Sequence, residues 1–474
     1  MLNYRNLHDY QKRAVAHILS MWRSMLMLDM GLGKTPTVLT AIAHWFNYGV
    51  TRGVLVIAPL RVCQTVWEQE ARKWQHTKWL SFGLIHGSPG ERRRIVRGHY
   101  NVYLVNFEAL PWLVEELNIA YLHQGKELPF DTLVIDEITK LKSTIAAEIE
   151  GGSVRGEALQ KILPHFPRRI GLTGTPAPNG LSDLFGQYLL LDDGYRLGRD
   201  KLAFQERFFV PQGYRWILTD LGKQQIHKLI ADITLEMKAG DYLDLPPVIE
   251  NIVEVELTPK LRKQYEDMEL AMFLELDSGA TVESVNAAVL LNRCLQFSNG
   301  AIYHNPETKE WEKIHDLKLD ALEEIFDSHG QEPLLVAYQF KHDKDRIMSR
   351  FKKHDIVLLD GSVSARDAKV IVSKWNQGKI PILLGNAGSI GHGMNLQFGS
   401  NQIAWFGLSH NLDNYLQLNA RIARQGQQGS RVMIHKILTR DTVDFAVRAA
   451  LSAKEGEQSD LRQSLNEYRN EKRM

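Results

Sequence analysis

Short continuous runs of Val, Ile and Leu, separated by helix-like stretches, constrain this chain more than any other feature. "SMLMLD", "GVLVIAP", "NVYLVNF", "TLVIDE" and "RIGLTGT" fall in the first half. "PLLVAYQF", "DIVLLDG", "IPILLGNA", "NQIAWFG" and "RVMIHKIL" fall in the second. Their apolar residues are contiguous rather than alternating, the pattern of strands buried on both faces. Helical patterns such as "RVCQTVWEQEARKW" lie between them. Strand and helix in alternation predict βαβ units, so the chain reads as an α/β protein with two blocks of parallel sheet flanked by helices. At 474 residues it is also too long for a single core. Between the blocks the texture changes: residues 186–240 and 258–300 read as mainly helical, with "LDLPP" at 243–247 as a break.

The composition, 44 % hydrophobic and 24 % charged, is that of an ordinary globular protein. Cys63 and Cys294 match no metal-ligand spacing and imply a reducing compartment without a disulfide framework. The stretch "MLNYRNLHDYQKRAV" lacks a signal peptide's apolar region, and no apolar run approaches the roughly 18 residues of a membrane span. The expectation is a cytoplasmic protein with no membrane partner. A net charge of +1 neither announces nucleic-acid binding nor excludes it. The basic run "GERRRIVRGH" at 90–99 reads first as a solvated helix face.

One strand-to-helix turn carries chemistry. In "SMLMLDMGLGKTPTVLTAIAHW", residues 24–45, Gly31 and Gly33 supply a flexible turn, Lys34 a charge for β/γ-phosphates and Thr35 a hydroxyl for Mg²⁺. The helix that follows adds partial positive charge at its N-terminus. Met30 and Leu32 complete the cradle. The full GxxxxGK[ST] pattern fails at its first position, Leu28, so the turn alone could be an ordinary connection.

"TLVIDE" changes the balance, because it puts Asp136 and Glu137 at the carboxyl end of an apolar strand, where open α/β sheets bind ligands. Asp136 can hold Mg²⁺ and Glu137 can orient or deprotonate a water; read alone, two acids simply end a strand. In "YLQLNARIARQGQQG" at 415–429, Gln417, Arg421 and Arg424 are spaced so that one helix face can present all three, offering positive charge to a γ-phosphate. The bland alternative is a solvated basic face. Histidines are scattered without ligand spacing, so the cofactor expected from the residues is a nucleoside triphosphate with Mg²⁺.

Taken in order, these segments resemble the superfamily 2 helicases, specifically their Swi/Snf-like branch of DNA translocases. "LHDYQ" at 7–11 is similar to the adenine-reading segment, with Gln11 as its glutamine. "DMGLGKT" resembles that branch's phosphate loop, which tolerates a non-glycine first position. "IAPLRVCQTVWEQEARKW", with Pro59, Trp67 and Trp74, "LTGTPAPN" at 172–179, "GSIGHGMNLQ" and "QLNARIARQGQ" resemble its later motifs.

The resemblance implies two RecA-like lobes with ATP between them. Lobe 1 would span 1–240, with a helical protrusion near 186–240; lobe 2 would span 241–453, with one near 258–310; a charged helix or tail would follow at 454–474. Gln11, Lys34, Thr35, Asp136 and Glu137 would come from lobe 1, and Gln417, Arg421 and Arg424 from lobe 2. Thr173, Thr175, Ser389 and Asn395 would join the coupling and DNA surface. The aromatic-rich "FQERFFVPQGYRW" is expected to pack rather than stack on bases. Ile138-Thr139 stands where many relatives carry Ala-His, and Thr139 offers one hydroxyl and no charge. No bromodomain, chromodomain, zinc-finger or nuclease signature is seen, an economy that by analogy points to bacterial or phage motors.

The expected activity is DNA-dependent ATP hydrolysis coupled to movement along double-stranded DNA, mostly independent of sequence. Branched or single-stranded DNA are further partners to test, and protein partners are unspecified. A strand-separating or annealing helicase is one rival, and an ATP-gated binding factor is another. A small-molecule kinase is disfavoured by the arginine pair and the second block.

Overall fold

The first block builds one parallel sheet whose strand order explains where chemistry can gather. In the computed structural model, which describes residues 1–141, 154–213, 215–277, 284–304, 310–328, 330, 332–390 and 394–456, its strands are β1 (Arg23–Leu28), β2 (Val54–Ala58), β3 (Phe82–Leu84), β4 (Val102–Asn106), β5 (Thr132–Asp136) and β6 (Arg168–Thr173). A hairpin of β7 (Phe209–Gln212) and β8 (Arg215–Leu218) follows, and then β9 (Thr234–Met237). The sheet runs β3-β4-β2-β5-β6-β1-β9, every pair parallel. Strands β2, β4, β5 and β6 are buried along their whole length, as their contiguous apolar runs require.

A second parallel sheet forms from β10 (Val248–Val255), β13 (Leu334–Tyr338), β14 (Val357–Leu358), β15 (Ile382–Asn386), β16 (Gln402–Trp405) and β17 (Val432–Thr439), in the order β10-β17-β16-β13-β15-β14. The short antiparallel pair β11 (Ala301–Tyr303) and β12 (Trp311–Lys313) stands apart from it. The chain divides into two compact units, Met1–Leu243, which Lys454 joins, and Asp244–Ala453. No helix among the described residues is long and apolar enough to cross a membrane.

Residues 186–240 are less helical than expected. Helices Asp183–Asp192, Lys201–Phe208 and Asp220–Ile230 are present, but the β7–β8 hairpin and the edge strand β9 lie among them. The aromatic-rich segment packs: Phe204, Phe208 and Phe209 are buried, and Phe204 lies 5.1 and 5.6 Å from the other two rings. Residues 258–300 are helical as Pro259–Asp277 and Ser284–Asn299. The charged tail expected at 454–474 lies beyond Gly456 outside the described residues.

The basic run forms the helix Pro89–Val96, started by a reciprocal Ser88–Glu91 capping box. Its arginines have structural work. Arg93 Nε and Arg97 Nη2 each donate at 2.9 Å to one oxygen of the buried Glu116 carboxylate, and Arg92 lies over the Trp112 ring.

Candidate nucleotide site

The order β5-β6-β1 places three motif turns side by side at the carboxyl ends of adjacent strands. Parallel registers pair Met27 with Thr173 and Leu172 with Asp136. The Gly-Lys-Thr turn, the Leu-Thr-Gly-Thr turn and Asp136-Glu137 therefore leave the sheet at one level. That is where ligands of open parallel sheets bind.

The turn after β1 is shaped for an anion. Gly31 and Gly33 hold φ of 90° and 75°, in the left-handed region that favours glycine. Gly33 caps the helix Lys34–Asn47 with no side-chain hydrogen bond, so the first amides of that helix are not covered by a cap. A Cβ on Gly33 would lie 2.3 Å from Gln11 Nε2. Gln11 is buried, donating to the Leu32 carbonyl at 3.3 Å and accepting from the His8 amide at 3.0 Å. Lys34, the first helical residue, donates through Nζ to the Leu28 carbonyl at 2.8 Å, and Met30 and Leu32 complete the turn while Thr35 takes the second helical position.

Asp136 is 8 % exposed and accepts from Trp67 Nε1 through Oδ2 at 3.1 Å. Burial pushes its carboxyl above the usual range, opposed by the Lys34 ammonium and the Trp67 indole. Burial, with Asp136 nearby, also pushes the Cys63 thiol up, so that cysteine is inert. Glu137 holds φ of 65°, a left-handed conformation that costs a non-glycine residue energy and clusters at functional sites.

Thr173 and Thr175 are buried, and the Thr175 amide donates to Thr173 Oγ1 at 3.0 Å. A Cβ on Gly174 would sit 3.2 Å from Met30 Cγ and 3.4 Å from Lys34 Nζ, so a bare glycine keeps this turn against the cradle. Thr139 is 4 % exposed, and its hydroxyl has no partner among the described residues.

In the second unit, the structure corrects the single-helix arrangement of Gln417, Arg421 and Arg424. The helix Leu412–Asn419 ends before either arginine. The Asn419 side chain is committed to the Trp405 indole at 3.0 Å. Gln427 Nε2 donates to the Ile422 and Ser400 carbonyls, and Gly426 has φ of 91°, so the chain folds back in turns. Gln417 is 1 % exposed and donates to Asp413 within the helix at 2.8 Å. Both arginines instead reach the segment after β15: Arg421 Nη1 donates to the Met394 carbonyl at 3.4 Å and Arg424 Nη1 to Asn395 Oδ1 at 2.7 Å. Ser389 lies in the short helix Ala387–Ile390, its hydroxyl 3.5 Å from where a Gly361 Cβ would be.

Comparison with known proteins adds the decisive observation. The model of the SNF2-related domain matches residues 10–299, and that of the helicase conserved C-terminal domain matches residues 317–426. Protein p41 of Acyrthosiphon pisum secondary endosymbiont phage 1 is 38 % identical over 470 residues, covering 96 % of this chain and 98 % of that one. The chain belongs to the SNF2-related family. Each of its two units is built on one parallel sheet flanked by helices. Chromodomain-helicase-DNA-binding protein 7 of Gallus gallus is 25 % identical over 515 residues, 98 % of this chain but 16 % of that one, so the SNF2-related chain spans about a sixth of that relative. The Sulfolobus solfataricus SWI2/SNF2 ATPase core in complex with dsDNA aligns at 21 % identity and TM-score 0.43, over 98 % of this chain and 96 % of that one.

Three residues of the SNF2-related site had no assigned role in the sequence reading: Trp67, Gly174 and Asp29. Trp67 was visible as a motif residue, but its bond to Asp136 spans 69 positions. Asp29 Oδ2 accepts from the Ala239 amide at 2.8 Å and ties the phosphate turn to the segment after β9. No local signal marks that contact, because β9 was not legible as a strand.

Proposed function

We propose that this chain is a DNA-dependent ATPase that couples hydrolysis to translocation along duplex DNA, remodelling DNA or protein–DNA complexes. The observation that carries the reading is that Gly33, beside Gln11, and Lys34 follow β1 while Asp136 ends β5 and Glu137 follows it, at the same edge of one sheet with only β6 between them. The residues fit magnesium-bound ATP: an uncapped helix start, a turn with no room for a side chain at Gly33, and the buried carboxylate of Asp136.

Bound Mg²⁺–ATP would supply the phosphoryl group and the charge that offsets the buried Asp136. Lys34, which now donates to the Leu28 carbonyl, would bind phosphate oxygens. Thr35 and Asp136 would hold the metal, Glu137 would orient the attacking water, and Gln11 would face the adenine. Arg421 and Arg424 are the residues to place positive charge on the γ-phosphoryl as the transition state forms. Thr173, Thr175, Ser389 and Asn395 are assigned to coupling and to the phosphate backbone, contacts that position without reading sequence.

Steady-state ATP hydrolysis with no nucleic acid, single-stranded DNA, duplex DNA, forked DNA or RNA tests the reading. Strong stimulation by continuous duplex, followed by displacement of a third strand from a triplex, supports a translocase. Stimulation by forks or single strands alone replaces it with an unwinding or annealing activity. Duplex stimulation without triplex displacement replaces it with an ATP-gated switch.

A further inference from the structure

The second unit contains a cavity of about 410 Å³ that lies apart from the arginine turns. Its wall is the helix Ser284–Asn299, the strand β11 and the residues that directly follow β13. The volume is within the range of about 300–1,000 Å³ typical of small-molecule sites. Its chemistry is one-sided. Arg293 and Lys341 supply two cations with no ion pair among the described residues, and none of the described residues that line the cavity is a carboxylate.

Tyr303 and Phe340 supply two rings, and Gln296 and Gln339 supply amides. The aromatic part is braced from behind. His342 is fully buried, stacks on Phe340 with centroids 5.2 Å apart and 25° between planes, and lies 5.0 Å from the Tyr303 ring. The Tyr303 hydroxyl accepts from the His342 amide at 3.3 Å. Gln296 is held by the Tyr303 amide at 3.1 Å, whereas Gln339 Oε1 is buried and takes no hydrogen bond from the described residues. A buried amide oxygen without a donor costs stability unless something else satisfies it.

Two cations call for an anion, rings braced on one side call for a flat apolar face, and amides call for a polar edge. A nucleotide unit carries all three. We propose that this cavity holds one unpaired nucleotide of a DNA strand, its base against Phe340 and Tyr303 and its phosphate on Arg293 and Lys341. The amide nitrogens of Gln339 and Gln296 would face the base edge. The proposal extends the DNA reading to a second contact made of residues outside the ATP site, and it is read without turnover.

The test is binding of the full chain, without ATP, to a short oligothymidylate, to continuous duplex and to duplex interrupted by a single-stranded gap, followed by fluorescence anisotropy. Arg293→Glu and Phe340→Ala are each expected to weaken the oligothymidylate and the gapped duplex about tenfold, within the range of a lost base–aromatic contact, while continuous duplex changes less than about twofold. A 2-aminopurine in the gap should be quenched by the wild type and recover in Phe340→Ala.

Equal loss on continuous duplex would overturn the proposal, as would no loss on any strand. Loss with Arg293→Glu but unchanged 2-aminopurine quenching in Phe340→Ala would also overturn it, because the base would not be stacked. Competition by dTMP as strong as by the oligothymidylate would assign the cavity to a free nucleotide instead. Arg293 is exposed, so its variant keeps the test valid if Phe340→Ala unfolds. Duplex-stimulated hydrolysis, measured separately, reports on the translocase reading alone.

Discussion

Arg424 donates to Asn395 Oδ1 at 2.7 Å, so a cation proposed for the γ-phosphoryl is held by a residue proposed for the DNA surface. Asn395 is itself anchored, its carbonyl accepting from Asn376 Nδ2 at 2.9 Å. The Asn395 side chain orients the guanidinium through a neutral hydrogen bond.

Removing either member of that pair should have unequal effects. Arg424→Ala is expected to lower duplex-stimulated kcat by about 10³ to 10⁵, the scale of an arginine finger. Asn395→Ala should cost about 10- to 100-fold, like other groups that orient a catalytic residue. The KM for ATP should stay unchanged in the second case. Steady-state hydrolysis at saturating duplex measures both, and equally small losses would remove Arg424 from the chemistry.

Lys34 and Glu137 sit in one cradle but should fail differently. Lys34→Ala is expected to abolish hydrolysis by losing the phosphates, seen as loss of binding of a fluorescent ATP analogue. Glu137→Gln should bind the analogue normally and lose about 10² to 10⁴ in turnover, the usual contribution of a positioned base. Normal turnover in either variant would overturn that residue's assignment.

The second lobe depends on a buried ion pair. Lys318 Nζ lies 2.6 Å from Asp444 Oδ2, with side-chain exposures of 0 % and 1 %. Lys318 also donates to Asn299 Oδ1 at 2.8 Å, and Asp444 accepts from the Thr439 amide at 2.8 Å. Lys318→Met strands a buried carboxylate and should cost about 3–5 kcal/mol. Adding Asp444→Asn, which keeps an acceptor for Thr439, should recover more than half. Urea unfolding of the two variants decides it.

Acid should weaken the same lobe through His315. Burial, with Arg346 and Lys318 adding positive charge nearby, brings its pKa down to about 4. The unfolded chain takes up the proton near the ordinary value of about 6.5, whereas the folded lobe resists until about 4. The stabilising contribution is therefore complete above about pH 6.5 and is lost as pH falls toward 4. Thermal unfolding between those limits should show that slope, and His315→Leu should flatten it.

The sequence determined the class of fold and the place of each motif at the end of a strand. Contiguous apolar runs and their helical spacers are local patterns, and each of the runs quoted became a strand of one of the two sheets. The positions of Gly33, Lys34, Asp136 and Glu137 beside strand ends were legible because the apolar run just before each pair marks its strand. Strands β9 and β10 were not legible: "TLEM" is short, and "VIENIVEV" is an exposed edge with acids in it, one of which, Glu250, pairs with Lys436 at 2.6 Å.

Only the tertiary structure decided which turns are neighbours. Nothing local says that β5, β6 and β1 adjoin, that Trp67 holds Asp136, or that the helix stops at Asn419 and turns Arg424 onto Asn395. Those outcomes depend on strand order, on register and on hydrogen bonds between residues distant in the chain. They follow from burying the whole sheet at once rather than from any one segment.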